Sequence, residues 1–434
     1  MLNLRLYFPA LLMVMSVSYA TAQNVQPLDN IKACTIPISI NPDDTAGFSD
    51  LQPLKEILSG RRIVGMGEAT HGSHEFFAMK HRMLEFLVKE MGFRIFAIEA
   101  NFTECRAIND YVLYGQGDAK KVIAGMYFWT WNTAEVLKMV EWMRQYNYGK
   151  SVADQIKFYG FDMQVDKVAL QSVRSKLVKL DSGYYIAHFR VLDTLRIRPA
   201  GFVQFSKKQA DGVKVLLKNI KAYVVVQDAN FAKIFSRQEI DYLSRDIRLL
   251  EQCLEEDEGA GKKFVKMKGS FARDRCMAEN VEWILNHEGP ESKMMIWAHN
   301  GHINKSSKWM GGYLKDSLKN EYYAVGFDFN KGGFRAVDLK TKKLESFVVG
   351  DAAKGSTGEA FSKFNIPSFF MDIEATEKNN TPAASFMDKK MPSRTIGASF
   401  DANNESNFYS KDSLFDHFDG LIFINRVTAS TPIQ

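Results

Sequence analysis

Short, almost continuously apolar segments alternate with amphipathic helices along most of this 434-residue chain. Continuous apolar runs are typical of parallel strands that are buried on both faces. The helices between successive strands then cover the two faces of one sheet. We therefore predict an α/β fold with three layers and a mostly parallel sheet, whose strands include residues 62–68, 94–101, 156–162, 293–303 and 322–329.

Residues from about 168 to 266 interrupt this alternation. Within them, residues 236–259 predict one long amphipathic helix, because apolar side chains recur near helical spacing at Ile240, Leu243, Ile247, Leu250 and Leu254. We interpret the stretch as a helical insertion beside or over the sheet, either an extension of the helical layer or a mobile lid. Together with the loops, it is expected to set the shape of the substrate pocket. Beyond Gly332 we expect short strands and loops.

The first 22 residues have the pattern of a secretory signal peptide. Arg5 precedes an apolar run over residues 6–20, and Ala20-Thr21-Ala22 is a small-x-small cleavage pattern before Gln23. The alternative of a membrane anchor is less favoured, because the apolar run is shorter than the ~20 residues that span a bilayer. We expect an exported protein, periplasmic or extracellular, with residues 23–434 as its mature domain and no membrane span.

Composition and charge exclude several other classes of function. Hydrophobic residues make up 46% of the chain and charged residues 25%, a globular balance. The net charge is +5 and the basic residues are scattered, so we expect no nucleic-acid partner. The four cysteines match no disulfide or metal-binding pattern. Cys105 and Cys276 are expected in the core, and a catalytic cysteine is not expected.

Ionisable side chains follow four of the predicted strands. Because ligands bind beyond the carboxyl ends of parallel strands, these side chains should meet at one edge of the sheet. Five of the eight histidines lie in only two short segments, residues 71–81 and 299–302. A shared active site explains this pattern better than separate loop residues would. Its members would be Glu68 and His71 after the first strand, Glu99 and Asp162 at the ends of two others, and His299 and His302 after the fourth.

One cation should reach the same edge from the helix predicted at residues 73–93. Lys80 falls within the apolar stripe of this helix, whereas His74, His81 and Glu85 fall on the opposite face and are expected in solvent. A buried cation needs an anionic partner, and Glu68 or Glu99 would suit. Alternatively, the stem of Lys80 lies on apolar surface while its ammonium group reaches water.

The candidate residues favour water activation by a histidine. The chain has no G-x-S-x-G elbow, and the segments "GMGEATHG" and "GDAAKGST" lack the spacing of nucleotide-binding loops, so no cofactor is expected. A histidine could deprotonate water while a carboxylate orients it and cations or histidines stabilise an oxyanion. Alternatively, two or three histidines with a glutamate could hold a metal. His299 and His302 lie where a strand leaves into a loop, unlike the helical H-E-x-x-H arrangement.

At these residues the chain resembles the erythromycin esterase family. The segments "GEATHGSHEFF", "RDRCMAENVEWI" and "WAHNGHI" are similar to its hallmark segments and occur in the same order, and the resemblance extends from about residue 43 to 426. It implies a three-layer α/β fold with a helical insertion, and metal-free hydrolysis of a macrolide lactone or related ester.

The resemblance also implies roles for single residues. The family's base falls on His71, its carboxylates on Glu68 and Glu99, and its remaining histidines on His299 and His302. The family's helical arginine falls on Lys80, which keeps the charge but loses the bidentate fork.

Three functions therefore stay open at this point. The first is an exported ester hydrolase that acts on a small-molecule ester, with macrolides among the candidates. The second is a metal-dependent hydrolase or metal-binding protein on the same scaffold. The third is an exported protein of surface polysaccharide metabolism without esterase activity.

Overall fold

A computed structural model describes residues 27–41, 47–195, 206–260, 266–379 and 383–433. The predicted signal peptide lies outside the described residues. None of the helices within these ranges has the length and apolar character needed to cross a bilayer. All four cysteines are free thiols, and Cys105 and Cys276 are buried, as predicted.

Twelve strands lie within these described ranges. They are β1 (Thr35–Pro37), β2 (Ile63–Met66), β3 (Ile95–Asn101), β4 (Lys157–Asp162), β5 (Met294–Trp297), β6 (Tyr322–Asp338), β7 (Leu344–Val349), β8 (Ser368–Asp372), β9 (Met391–Arg394), β10 (Ser399–Phe400), β11 (Tyr409–Asp412) and β12 (Gly420–Val427).

Eighteen α-helices surround the strands in the described ranges. They are α1 (Pro27–Lys32), α2 (Leu54–Ile57), α3 (His74–Met91), α4 (Arg106–Tyr114), α5 (Ala119–Ala124), α6 (Ala134–Asn147), α7 (Lys167–Leu180), α8 (Ser182–His188), α9 (Lys207–Val226), α10 (Asp228–Phe231), α11 (Arg237–Ala260), α12 (Lys266–Glu288), α13 (Asn300–Ile303), α14 (Met310–Leu318), α15 (Thr357–Ser362), α16 (Ile373–Lys378), α17 (Ala384–Asp388) and α18 (Leu414–His417).

The main sheet is mostly parallel, which confirms the predicted α/β fold class. Its order is β1-β8-β12-β6-β2-β5-β3-β4, with β7 and β10 paired to β6. Strands β12, β6, β2, β5, β3 and β4 run parallel to one another, whereas β8 is antiparallel to β12 and β1 is antiparallel to β8. Parallel strands of this kind end at one common edge, so the residues that follow β2, β5, β3 and β4 become neighbours.

Two hydrophobic cores lie on the two faces of the sheet. One joins the sheet to α3, α4 and α6, and the other joins it to α7, α9, α11 and α12. The predicted insertion therefore packs as a helical layer on one face. Its long helix α11 is tied to the chain after β3, because the buried carboxylate of Asp246 accepts hydrogen bonds from Thr103 and Arg106.

Helix α3 differs from the prediction on its second face. His81 and Glu85 are buried instead of lying in solvent, because α6 packs against them and the His81 ring lies 5.7 Å from that of Trp142. His74 is exposed as expected, and its Nδ1 contacts Glu135 Oε1 at 2.7 Å. Periodicity identified the face of α3 against the sheet, but a helix covered on two sides has no fully solvated face.

Two further boundaries were predicted wrongly. The strand expected over residues 293–303 ends at Trp297, and residues 300–303 form the helical turn α13. The strand expected over residues 322–329 continues to Asp338 as β6, past Gly332, where only short strands and loops were expected.

Candidate active site

The loop after β2 approaches α13 very closely, and glycine makes this approach possible. A Cβ atom on Gly67 would lie 2.2 Å from Asn300 Oδ1. Asn300 in turn donates its backbone N–H to the Glu68 carbonyl and its side-chain amide to the Phe327 carbonyl. The glycine of the "GMGE" segment therefore brings Glu68 beside the turn that carries His299.

Glu68 is fully buried and lies at the centre of the first half of the site. One oxygen lies 2.6 Å from His71 Nδ1, while the other accepts from Lys80 Nζ at 2.5 Å and from Trp297 Nε1 at 2.7 Å. Burial opposes ionisation of this carboxyl, but Lys80 and His71 outweigh the burial and lower the pKa of Glu68. The group is thus a carboxylate that holds His71 through its Nδ1 atom.

Lys80 lies on the sheet side of α3 with no exposed surface. Its ammonium group pairs with Glu68 and lies 4.4 Å from the ring centre of Trp297 and 5.2 Å from that of Phe327. The alternative of a solvent-reaching lysine is therefore wrong. Burial lowers the pKa of Lys80 to about 8, although Glu68 opposes this shift.

His299 lies next to His71, with 5.1 Å between the ring centroids. Its Nδ1 atom accepts a hydrogen bond from the Gly301 backbone, so a neutral ring carries its proton on Nε2. Burial and the neighbouring His71 and His302 lower the pKa of His299 to about 3. The buried Nε2 atom has no hydrogen-bond partner among the described residues, so His299 is a neutral donor available to a substrate.

Glu99 at the end of β3 organises the second half of the site. One oxygen accepts from Arg273 at 2.7 Å and the other from the His299 backbone N–H at 3.0 Å. Burial opposes its ionisation, but His302 and Arg273 together hold the pKa of Glu99 well below its usual value. The carboxylate therefore fixes the backbone position of His299.

Arg273 and Asp274 belong to this network, and no role was predicted for either. Arg273 binds Glu99 and also Asp162, whose carboxylate it contacts through Nε and Nη2 at 3.1 and 2.7 Å. Asp274 is fully buried on α12. The segment "RDRC" contained a usable signal, since Asp274 falls on the apolar stripe of its helix with Met277, Ala278 and Val281, as Lys80 does on α3.

His302 connects Asp274 to Glu99. Its Nδ1 lies 2.8 Å from Asp274 Oδ1, and its Nε2 lies 3.3 Å from Glu99 Oε1 and 3.1 Å from Arg273 Nη1. Burial and Arg273 disfavour a charged ring, but Asp274 and Glu99 raise the pKa of His302 to about 10. The two carboxylates thus favour a charged ring, whereas the contact from Arg273, which can only donate, favours a neutral Nε2 acceptor; we take the two carboxylates to prevail.

The structure thus brings all six predicted site residues together with Asp162. Each carboxylate already has a cationic partner, namely Lys80 for Glu68, Arg273 for Glu99 and Asp162, and His302 for Asp274. Within the described ranges, no three His, Cys, Asp or Glu side chains come together as a metal site. A divalent cation would have to displace these partners, so this donor set does not fit a metal well.

A cleft of about 540 Å³ opens beside His299 and His302. Its other walls come from α13, from the residues before α14 and from the C-terminal region. No described residue of the predicted insertion lines it. The C-terminal strands and loops, more than the insertion, thus shape this part of the site.

A family model described as Erythromycin esterase matches residues 88–427. The chain belongs to the erythromycin esterase family. It is 27% identical over 417 residues to the putative hydrolase YbfO of Bacillus subtilis (strain 168), which covers 90% of this chain and 89% of that protein. It is 26% identical over 383 residues to erythromycin esterase type II of Escherichia coli, with 79% and 87% covered.

A solved structure shows the same fold. The crystal structure of a Bacillus cereus protein superposes with a TM-score of 0.81 at 23% identity, covering 94% of this chain and 99% of that chain. The family match and the names of both relatives support a hydrolase of the erythromycin esterase family.

The charge of His302 is open to direct measurement. Because Asp274 and Glu99 raise its pKa, we expect nitrogen-15 NMR to show both ring nitrogens protonated at neutral pH, and Asp274→Asn to lower the pKa of His302. His302→Gln serves to assign the signal. A neutral ring in the unmodified protein would contradict this prediction, and would mean that Nε2 accepts from Arg273 instead of donating to Glu99.

Proposed function

We propose that this protein is an exported, metal-free ester hydrolase in which His71 deprotonates water. The observation that carries the proposal is the Glu68–His71 contact of 2.6 Å beside the unpartnered Nε2 of His299. Because Glu68 binds Nδ1 of His71, the Nε2 atom remains as the basic nitrogen. A base and a neutral donor then lie side by side, as hydrolysis of an ester carbonyl requires.

The reaction follows from this arrangement. Neutral His71 takes a proton from water, and the water oxygen attacks the ester carbonyl. The Nε2–H of His299 donates to the oxyanion of the tetrahedral intermediate. When the carbon–oxygen bond to the alcohol breaks, the imidazolium of His71 returns the proton to the leaving alkoxide, giving an acid and an alcohol.

The other four predicted site residues act as positioning residues in this proposal, namely Glu68, Lys80, Glu99 and His302. Lys80 has no exposed surface, so it neutralises Glu68 without touching substrate. Glu99 holds the backbone of His299, and Arg273 holds Glu99. His302, bound by Asp274, balances the charge of Glu99 beside the cleft.

The substrate class in this proposal is a macrolide lactone or a related ester. The name of the Escherichia coli relative and the family support it, whereas Lys80 in place of the family's arginine marks this chain as different. Export rests on the predicted cleavage after Ala22. We expect the intact mass of the native protein to correspond to a chain that begins at or near Gln23, and the full-length mass would refute cleavage.

Replacement of His71 tests the proposed base. We expect His71→Ala to lower kcat by a factor on the order of 10² to 10⁴, which is typical for loss of a general base. His188→Ala, an exposed histidine in the insertion, is the control and should keep full activity. The substrates are a panel of macrolides and simple aryl esters, and activity should survive exhaustive chelation.

Three results would count against this mechanism. Full activity of His71→Ala on a confirmed substrate would remove His71 from the centre of the site. Activity that chelation abolishes and zinc restores would favour the metal-dependent alternative. Hydrolysis of aryl esters without hydrolysis of any macrolide would contradict the macrolide assignment alone.

The low pKa of Lys80 predicts a loss of activity in alkali. Above about pH 8 the side chain loses its proton, Glu68 loses its cationic partner, and His71 is no longer held in place. We therefore expect kcat to fall as the pH rises through this value. Lys80→Arg should shift the fall to higher pH, because a guanidinium group stays charged.

The exposed Lys89 on the same helix provides the control for this pH profile. Lys89→Arg, which keeps a surface pair with Glu85, should leave the profile unchanged. An alkaline fall that is identical in Lys80→Arg and the unmodified protein would assign it to another group.

A further inference from the structure

The cleft beside His299 and His302 has one aromatic wall at Trp309. This half-buried ring packs roughly perpendicular to the rings of His302, at 6.2 Å, and Phe271, at 5.5 Å. The next residue, Met310, donates its backbone N–H to Asp274 at 2.9 Å. The carboxylate that binds His302 therefore also fixes the start of α14, so that Trp309 is a preorganised apolar surface within the cleft.

A second part of the cleft lining presents hydrogen-bond acceptors. Ser393 lies in this part, and its Oγ is 2.9 Å from Thr357 Oγ1, which donates to the buried Asp328 at 2.5 Å. Because the Thr357 hydrogen is used by Asp328, the Ser393 hydrogen points to Thr357, and the lone pairs of Ser393 remain for a ligand. Because Ser393 donates to Thr357 and Thr357 donates to Asp328, Ser393 is an acceptor toward the cleft.

Asp412 adds a second acceptor in the same part of the lining. Its side chain is 42% exposed, and the Nε2 atom of His417 lies 3.9 Å from Asp412 Oδ1. This distance is too long for a hydrogen bond. Burial lowers the pKa of His417 despite Asp412 and Asp416, which disfavours the charged ring that could neutralise the carboxylate.

No cation among the described residues that line this cleft is free for an anionic ligand. His302 is already bound by Asp274 and Glu99 where it lines the cleft. Arg394 lines it, but this guanidinium is buried and already donates to the Asn330 carbonyl, the Tyr409 hydroxyl and Glu405. No lysine is among the described residues that line this cleft. A ligand with several hydrogen-bond donors and no negative charge therefore suits these walls.

We propose that this cleft binds a hydroxylated ring, a glycosyl or cyclic polyol group, that forms one side of the ester substrate. The apolar face of such a ring packs on Trp309, and its hydroxyl groups donate to Ser393 and Asp412. The inference rests on the proposed function only in placing the scissile ester at His71 and His299. Binding of the ring itself does not depend on hydrolysis.

Two ester probes test the subsite in the full chain. One is a methyl glucoside monoacetate, and the other is para-nitrophenyl acetate, which lacks a hydroxylated ring. We expect Trp309→Ala to lower kcat/KM for the glucoside ester about fivefold, chiefly through KM, since aromatic contacts contribute on the order of 1 kcal/mol and this energy corresponds to that factor. The rate of the Trp309→Ala variant on para-nitrophenyl acetate should change less than about twofold, because His71 and His299 stay in place.

Variants at the two acceptor residues, Ser393 and Asp412, provide the second part of the test. Ser393→Ala and Asp412→Ala should each lower kcat/KM for the glucoside ester and leave the rate on para-nitrophenyl acetate unchanged. Asp351→Ala, which removes an exposed carboxylate outside the cleft, should change neither. Equal losses on both esters in Trp309→Ala would overturn the proposal, because Trp309 would then only support His302. Unchanged selectivity in all three cleft variants would overturn it as well.

Saturation-transfer NMR with methyl glucoside separates this proposal from the proposed function. Binding that Trp309→Ala abolishes, together with no hydrolysis of either ester, would support the subsite and refute the esterase. Hydrolysis of para-nitrophenyl acetate with no binding of methyl glucoside would refute the subsite and leave the esterase standing.

Discussion

The ion pair between Glu68 and Lys80 is the interaction on which the rest of the site depends. Both side chains are fully buried, so each loses the solvation that a charge has in water. The arrangement is tolerable because Trp297 and His71 occupy the remaining bonding capacity of the carboxylate, and because Lys80 lies over the ring of Trp297. The strand end, the helix α3 and the position of His71 are thereby coupled through one carboxylate.

His299 joins this pair to a second network built on Glu99. Its ring lies beside His71, while its backbone N–H is bound by Glu99. Arg273 ties Glu99 to Asp162 at the end of β4. The ends of β2, β5, β3 and β4 are therefore linked by charge-assisted hydrogen bonds, which are stronger and more directional than neutral ones. A shift of one strand would change the distance between His71 and His299.

Much of this site was predictable because parallel strands deliver their following residues to one edge. Glu68, Glu99 and His299 could be placed from strand ends alone, and Lys80 from its position in an apolar stripe. Arg273 and Asp274 were not predicted because they lie on helix α12, which follows the insertion, and not at the end of a strand. The burial of His81 and the turn at α13 depend on contacts with α6 and on the close approach of Gly67 to Asn300, which a single-segment pattern does not contain.

The two halves of the chain contribute different parts of this site, which explains how such a site can change its ligand. The N-terminal half contributes Glu68, His71, Lys80 and Glu99, whose charges are mutually compensated and tolerate little change. The described cleft beside them is walled largely by residues of the C-terminal region, where Ser393 and Asp412 are held by local contacts and not by the catalytic charges. Substitutions there alter ligand contacts without unpairing a buried ion. Within one family, the buried charged network can therefore stay constant while the ligand that the cleft accepts diverges.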